Sequence, residues 1–207
     1  MDETKVLKNY FLLFTDLINL IEETNKRCVS KNTSHYFINN VNFFNKSFTV
    51  LICAYLESYL KDVGMLIIEE MNYRLKNNPV PHNLIKWYLN INKQFKTSET
   101  KYEFLKININ KKDIDNEISA DIGRTINLFQ KLGIDLNTNS EFNNYKDIIG
   151  SIVRKRNNII HHNDEASDIS FDDIIENINL IKEYIIIIDK EVINHISYSN
   201  ERTIAPE

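Results

Sequence analysis

Three side chains in the run Ile152-Val153-Arg154-Lys155-Arg156-Asn157-Asn158-Ile159-Ile160-His161-His162 have the types and spacing to do chemistry: Arg156, Asn157 and His161. An imidazole, with an unperturbed pKa of about 6.5, takes or gives a proton near neutral pH, and a positioned general acid or base contributes about 10²- to 10⁴-fold in rate. A guanidinium presents a planar fork of donors that fits a phosphate and stabilises charge developing on it, a task for which Lys is a poor substitute. Asn157 can orient the imidazole or contact the same anion.

The segment that carries them breaks an ordinary rule. Its spacing predicts a helix over about Glu141 to His162. At about 100° per residue, Phe142, Tyr145, Ile148, Ile149, Ile152, Val153, Ile159 and Ile160 share an arc of roughly 140°, which should be the buried face. Arg156 lies near the middle of that arc. Asn157 and His161, one turn apart, sit just beyond its edge, with Arg154 on the same side. An Arg inside an apolar stripe costs several kcal/mol unless something offsets it. Three arrangements would do so: an ion pair with a neighbouring helix, Glu57 being the obvious carboxylate; a contact with a second subunit; or a wet cleft where the guanidinium meets a ligand. Glu57 itself, among Val50, Cys53, Leu60 and Ile68, reads either as a group that positions Arg156 or His161 or as a partly exposed carboxylate, and it is left outside the catalytic set.

Other clusters carry less. His161, His162, Asp164 and Glu165 suggest a metal, but adjacent histidines diverge by about 100° on a helix and match no common zinc spacing, so no metal site is assigned. A metal-dependent nuclease centred on His161, His162 and Asp164 stands only as a third alternative. His35, His82 and His195 are isolated and read as surface residues. Neither Cys28 nor Cys53 has an activating motif, and no cofactor is expected.

The elements that must position the site read as helices throughout. Apolar residues at three- and four-residue intervals predict a first helix from Asp2 or Thr4 to about Lys26 and a long second one from about Asn39 to Leu75, with Cys28 to Tyr36 as a polar connection. Two apolar stripes on the second helix make it central. Asn77-Asn78-Pro79-Val80-Pro81 stops it. A shorter helix over His82 to Gln94 follows, then an irregular insertion around residues 95–113 in which Leu105, Ile107 and Ile109 alternate like a strand. A helix from about Ile114 to Leu132 should end at Gly133. The last should begin after Ser170, where Ser170-Phe171-Asp172-Asp173 resembles a capping box, and run to about Ile196. The expectation is one all-α bundle of about five to six helices over residues 1–196, with an insertion at about 77–113 and residues 197–207 as a frayed tail.

Composition narrows the functional classes. With 4 Gly and 3 Pro in 207 residues, a Gly-rich phosphate loop, a Rossmann fold or a β-sandwich lacks its turn chemistry. Two cysteines argue against a disulfide-stapled secreted domain and fit a reducing compartment. No basic flank precedes an apolar start, and no run of about 18 apolar residues occurs, so a cytoplasmic protein without membrane contact is expected. A net charge of −4 makes any nucleic-acid contact local. One such place is Lys86 to Lys112, with seven Lys against Glu99 and Glu103 and with Trp87, Tyr88, Phe95, Tyr102 and Phe104 among them; it reads either as a single-strand docking surface or as a solvated face over a satellite core. The abundant Asn is discounted as coding bias.

The string Arg156-Asn157-Asn158-Ile159-Ile160-His161, near the end of the penultimate long helix, resembles the signature of the HEPN superfamily: an Arg followed by a small polar residue and, four to six residues on, a His. Ala54-Tyr55-Leu56-Glu57-Ser58-Tyr59-Leu60-Lys61 is similar to the second helix of stand-alone bacterial members. The resemblance covers about residues 1–75 and 114–196. His162 departs from it, since relatives often have Gly or another small residue there, and it creates a second register with Arg156. The resemblance implies a HEPN-like bundle and a metal-independent endoribonuclease acting on single-stranded RNA through 2′-hydroxyl attack. It implies a homodimer with Arg156 and His161 of both subunits facing one cleft, in a toxin–antitoxin or abortive-infection system with a cognate antitoxin or defence partner protein. The alternative is a noncatalytic helical module for dimerisation or for binding a nucleotide or a partner protein.

Overall fold

In the computed structural model, which describes residues 3–30, 35–89, 103–162 and 165–201, the chain is all-α. Among the described residues there are eight α-helices: α1 (Lys5–Val29), α2 (His35–Asn39), α3 (Val41–Asn77), α4 (His82–Tyr88), α5 (Lys111–Glu117), α6 (Ile122–Lys131), α7 (Ser140–His162) and α8 (Phe171–Glu201). The four long ones form the body. Tyr10 packs edge-on against Tyr59 and Phe14 against Tyr55, so α1 runs antiparallel to α3. Phe48 meets Phe171 and the Tyr59 hydroxyl donates to Ile185 O, so α8 runs parallel to α3. The Phe142–Tyr184 ring contact turns α7 antiparallel to α8.

Local chemistry sets the boundaries. The Thr4 hydroxyl caps α1 by accepting from Leu7 N at 3.0 Å and donates to the buried Asp189 of α8 at 2.6 Å. The Thr4 backbone N–H donates to the same carboxylate at 3.0 Å, which ties the start of the chain to its last helix. Ser170 and Asp173 close the expected box, with Asp173 N donating to Ser170 Oγ at 3.1 Å and Ser170 N donating to Asp173 Oδ2 at 2.8 Å. Gly133, at φ 89°, ends α6, with Ile134 N donating to Phe129 O and Gly133 N to Gln130 O.

Four boundaries differ from the sequence reading. The polar connection before α3 contains the short α2, where Phe37 stacks on Phe44. The helix expected over Ile114 to Leu132 is two helices. Asn110 and Asp113 form a capping box that starts α5 earlier, and Asp121 accepts from Arg124 N to start α6 anew. α4 stops at Tyr88 with Leu89 as its cap, and residues 90–94 of its expected span lie outside the described residues. α8 continues to Glu201, five residues past Ile196, so the start of the expected frayed tail is helical. Within the insertion, residues 103–110 are extended and backbone-bound: Pro81 and Phe104 form an isolated antiparallel bridge, and Asn72 brackets Ile107 by accepting from its N–H and donating to its carbonyl. No helix is long and apolar enough to cross a membrane among the described residues.

Candidate active site

The buried face of α7 is narrower than its periodicity predicts. Phe142, Ile149, Ile152, Val153 and Ile159 are buried, whereas Ile148 and Ile160 are 44% and 46% exposed. With these two removed, Arg156 stands close to the centre of the buried arc and faces α3. Its side chain is 24% exposed. Nη2 lies 4.0 Å from Glu57 Oε2, at the outer limit of an ion pair, and Nη1 donates to Asn157 Oδ1 at 2.9 Å. Nε is buried and donates to nothing among the described residues.

Glu57 belongs more closely to another cation. Lys61 Nζ lies 2.8 Å from Glu57 Oε1 and 3.3 Å from Asp115 on α5. Burial alone pulls the Lys61 ammonium down, but the two carboxylates outweigh it and hold the pKa above its ordinary value. Arg156, Glu57, Lys61 and Asp115 thus form a charge chain across α7, α3 and α5. Cys53, one turn before Glu57, is pushed up to about 12, chiefly by burial, with Glu57 adding to the rise and Arg156 opposing it. A thiol held neutral in this way is no nucleophile at neutral pH.

His161 and His162 are exposed at the end of α7. At about 100° per residue, His161 lies roughly 140° around the helix from Arg156. On an ideal helix the guanidinium and the imidazole therefore leave α7 in different directions. Arg156 turns to α3 and Asn157, and His161 makes no hydrogen bond among the described residues. Asn157, one turn before His161 and bonded to Arg156, is the side chain between them. Asp164 lies outside the described residues, and no group of three metal-ligating side chains converges among the described ones.

What the sequence reading missed is how the end of α7 is pinned. Asn42 Oδ1 accepts from Ala166 N at 2.9 Å, and its amide also bonds Glu165. The buried Asn45 donates to Ala166 O and Ile169 O at 3.3 and 2.5 Å. Lys155 Nζ donates to Glu165 O and to Asp168, both at 2.8 Å, and this bond holds the Asp168 carboxyl below its ordinary value. The signal available was Asn42 and Asn45 at three-residue spacing beside Phe44 and Phe48, where apolar side chains would be expected.

With this geometry in place, comparison with known families decides the assignment: the RiboL-PSP-HEPN family model matches residues 6–194. The chain belongs to the RiboL-PSP-HEPN family. The match spans the insertion that the resemblance of Arg156 and His161 left unexplained, so residues 77–113 fall inside the family's extent. No curated protein and no solved structure matches this RiboL-PSP-HEPN chain. Family membership makes it a HEPN-type nuclease or a related module.

Proposed function

We propose that this protein is a metal-independent endoribonuclease that cleaves single-stranded RNA, acting as a cytoplasmic homodimer and as the toxin of a toxin–antitoxin or antiviral abortive-infection pair. The observation that carries the reading is the state of Arg156: a guanidinium at the centre of an apolar face, 4.0 Å from a carboxylate that another cation holds more closely, with Nε donating to nothing among the described residues. So loosely held a charge adds little to stability. The side chain stays 24% exposed, and its Nη2, 4.0 Å from Glu57, is the donor free to turn to a phosphate.

The chemistry needs no group from outside the protein and RNA. A His161 imidazole takes the 2′-hydroxyl proton, the 2′ oxygen bonds to phosphorus, and the bond to the 5′ oxygen breaks as that oxygen takes a proton from an imidazolium. The products are a 2′,3′-cyclic phosphate and a 5′-hydroxyl, and DNA is not cut. Arg156 holds the non-bridging oxygens, and Asn157, bonded to that guanidinium, orients His161 or contacts the phosphate. Because one chain directs these groups to different faces, two α7 ends must combine to complete a site. Ile148 and Ile160 supply apolar surface for such a pairing.

The test is cleavage of RNA in excess chelator by wild type, Arg156→Ala and His161→Ala, with the product ends identified. Loss of cleavage in both variants and a cyclic phosphate end are expected; equal cleavage by all three would sink the assignment. The second reading is a noncatalytic module, and the Glu57–Arg156 contact favours it. It requires that wild type cleave nothing and that Arg156→Ala lower stability.

A further inference from the structure

The extended segment of residues 103–110 forms a cleft against α3 on a part of the molecule remote from Arg156. The cleft measures about 600 Å³ and is lined on one side by Glu69, Asn72, Tyr73 and Lys76 of α3 and on the other by Phe104 and Lys106 of the extended segment. Tyr73 and Phe104 are 62% and 61% exposed, and neither forms a ring contact with another aromatic among the described residues. Both line the same cleft, so together they offer two accessible ring faces to one ligand. The backbone beneath them is fixed. Leu105 N donates to Val80 O at 2.8 Å, Phe104 bridges Pro81, and the Asn72 amide brackets Ile107. Phe104 is thereby presented from a paired segment and not from a free loop. Lys76 and Lys106 are exposed, and neither lies within ion-pair distance of a carboxylate among the described residues, so Glu69 is the one acidic side chain set against two uncommitted ammonium groups in the cleft.

We infer that this cleft is a docking site for single-stranded RNA, with unpaired bases stacking on Tyr73 and Phe104 and backbone phosphates meeting Lys76 and Lys106. A flat aromatic face accepts any base, and cations at the rim follow the backbone, which together select a single strand without selecting a sequence. A duplex keeps its bases stacked internally and has no face to offer. A peptide would need acidic residues to satisfy the lysines. Tyr73 lies sixteen residues after Glu57 on one unbroken helix, about 24 Å along its axis, so the cleft lies on the same rigid rod as the group beside Arg156. The inference rests on the ribonuclease reading for the identity of the strand as substrate. It makes the cleft the place where RNA is held while a distant phosphodiester is cut.

The experiment measures fluorescence anisotropy of a labelled oligouridylate of about fifteen nucleotides, using full-length protein carrying His161→Ala so that cleavage does not consume the probe. The paired substitution Tyr73→Ala with Phe104→Ala is expected to weaken binding by at least about tenfold. Lys76→Ser with Lys106→Ser should flatten the dependence of log affinity on log salt by about 1.4. A two-strand duplex of the same length, without a loop, should bind more weakly than the single strand. All four positions are exposed, and far-ultraviolet circular dichroism checks that the variants fold. Unchanged affinity and salt slope in both paired variants would overturn the cleft, and if wild type still cleaves RNA the ribonuclease reading survives. Failure of the probe to bind, or equal affinity for the duplex, would overturn it as well. Binding that depends on these residues in a wild-type protein that cleaves nothing supports the cleft and removes the ribonuclease reading.

Discussion

Removing Glu57 should cost stability that removing Arg156 does not. The two charges are 4.0 Å apart, which at an effective dielectric of about 20 corresponds to an attraction of about 4 kcal/mol. Both side chains remain about a quarter exposed, with relative accessibilities of 24% and 23%, so screening and mobility reduce this to about 1–2 kcal/mol. The partners are not equivalent. Arg156→Met leaves Glu57 with Lys61 at 2.8 Å and removes a buried Nε that donates to nothing among the described residues. Glu57→Met leaves the guanidinium in an apolar face without its carboxylate and leaves Lys61 with Asp115 alone. The expected loss is about 2 kcal/mol for Glu57→Met, a fall in melting temperature of about 4–8 °C for a chain of this size, against a change within about 2 °C for Arg156→Met. Thermal unfolding followed by circular dichroism at one fixed protein concentration measures both. If Arg156→Met destabilises as much as Glu57→Met, the guanidinium is a structural group and the argument that it is held for a ligand fails.

Three further outcomes follow from contacts elsewhere. Asp189→Ala removes the acceptor of both Thr4 bonds and should lower stability by about 3 kcal/mol, measured by urea unfolding, with earlier loss of amide protection in the first turn of α1. Asn45→Ala frees the carbonyls of Ala166 and Ile169 and should cost about 1–2 kcal/mol, with faster limited proteolysis between residues 163 and 170; unchanged cleavage would mean that Asn45 does not pin the turn. The Cys53 thiol has a folded pKa of about 12, above its ordinary value of 9.0. The unfolded chain therefore loses this proton first as pH rises, and the stability it contributes, complete below about 9, is lost progressively towards about 12. Comparing the slope of the melting temperature against pH over that window in wild type and Cys53→Ala isolates this contribution, and identical slopes would refute it.

The long helices could be read from the chain because nothing interrupts them. Between Val41 and Pro79 there is one glycine, Gly64, and no proline, so the periodicity of α3 runs unbroken. The break between α5 and α6 could not be read in the same way, because it depends on Asp121 acting as a cap, and Asp is also ordinary on an exposed helix face. That Lys61 holds Glu57 more closely was not legible, but Arg156 was, as a charge set into an apolar stripe with Glu57 as a nearby carboxylate. The exposure of Ile148 and Ile160 was not, because helical period gives a direction but not how far a neighbouring element extends. Asn42 and Asn45 were hidden by composition: in a chain so rich in Asn, a buried amide that bonds a loop looks like any other.

The bond between Thr4 and Asp189 joins positions separated by 185 residues, and the core between α1 and α3 is completed only when α8 lies alongside both. During synthesis the first helix therefore has no permanent seat until α8 has left the ribosome. A fragment that ends between α7 and α8 would lack the last wall of the bundle and would carry Arg156 and His161 without the scaffold that sets their directions.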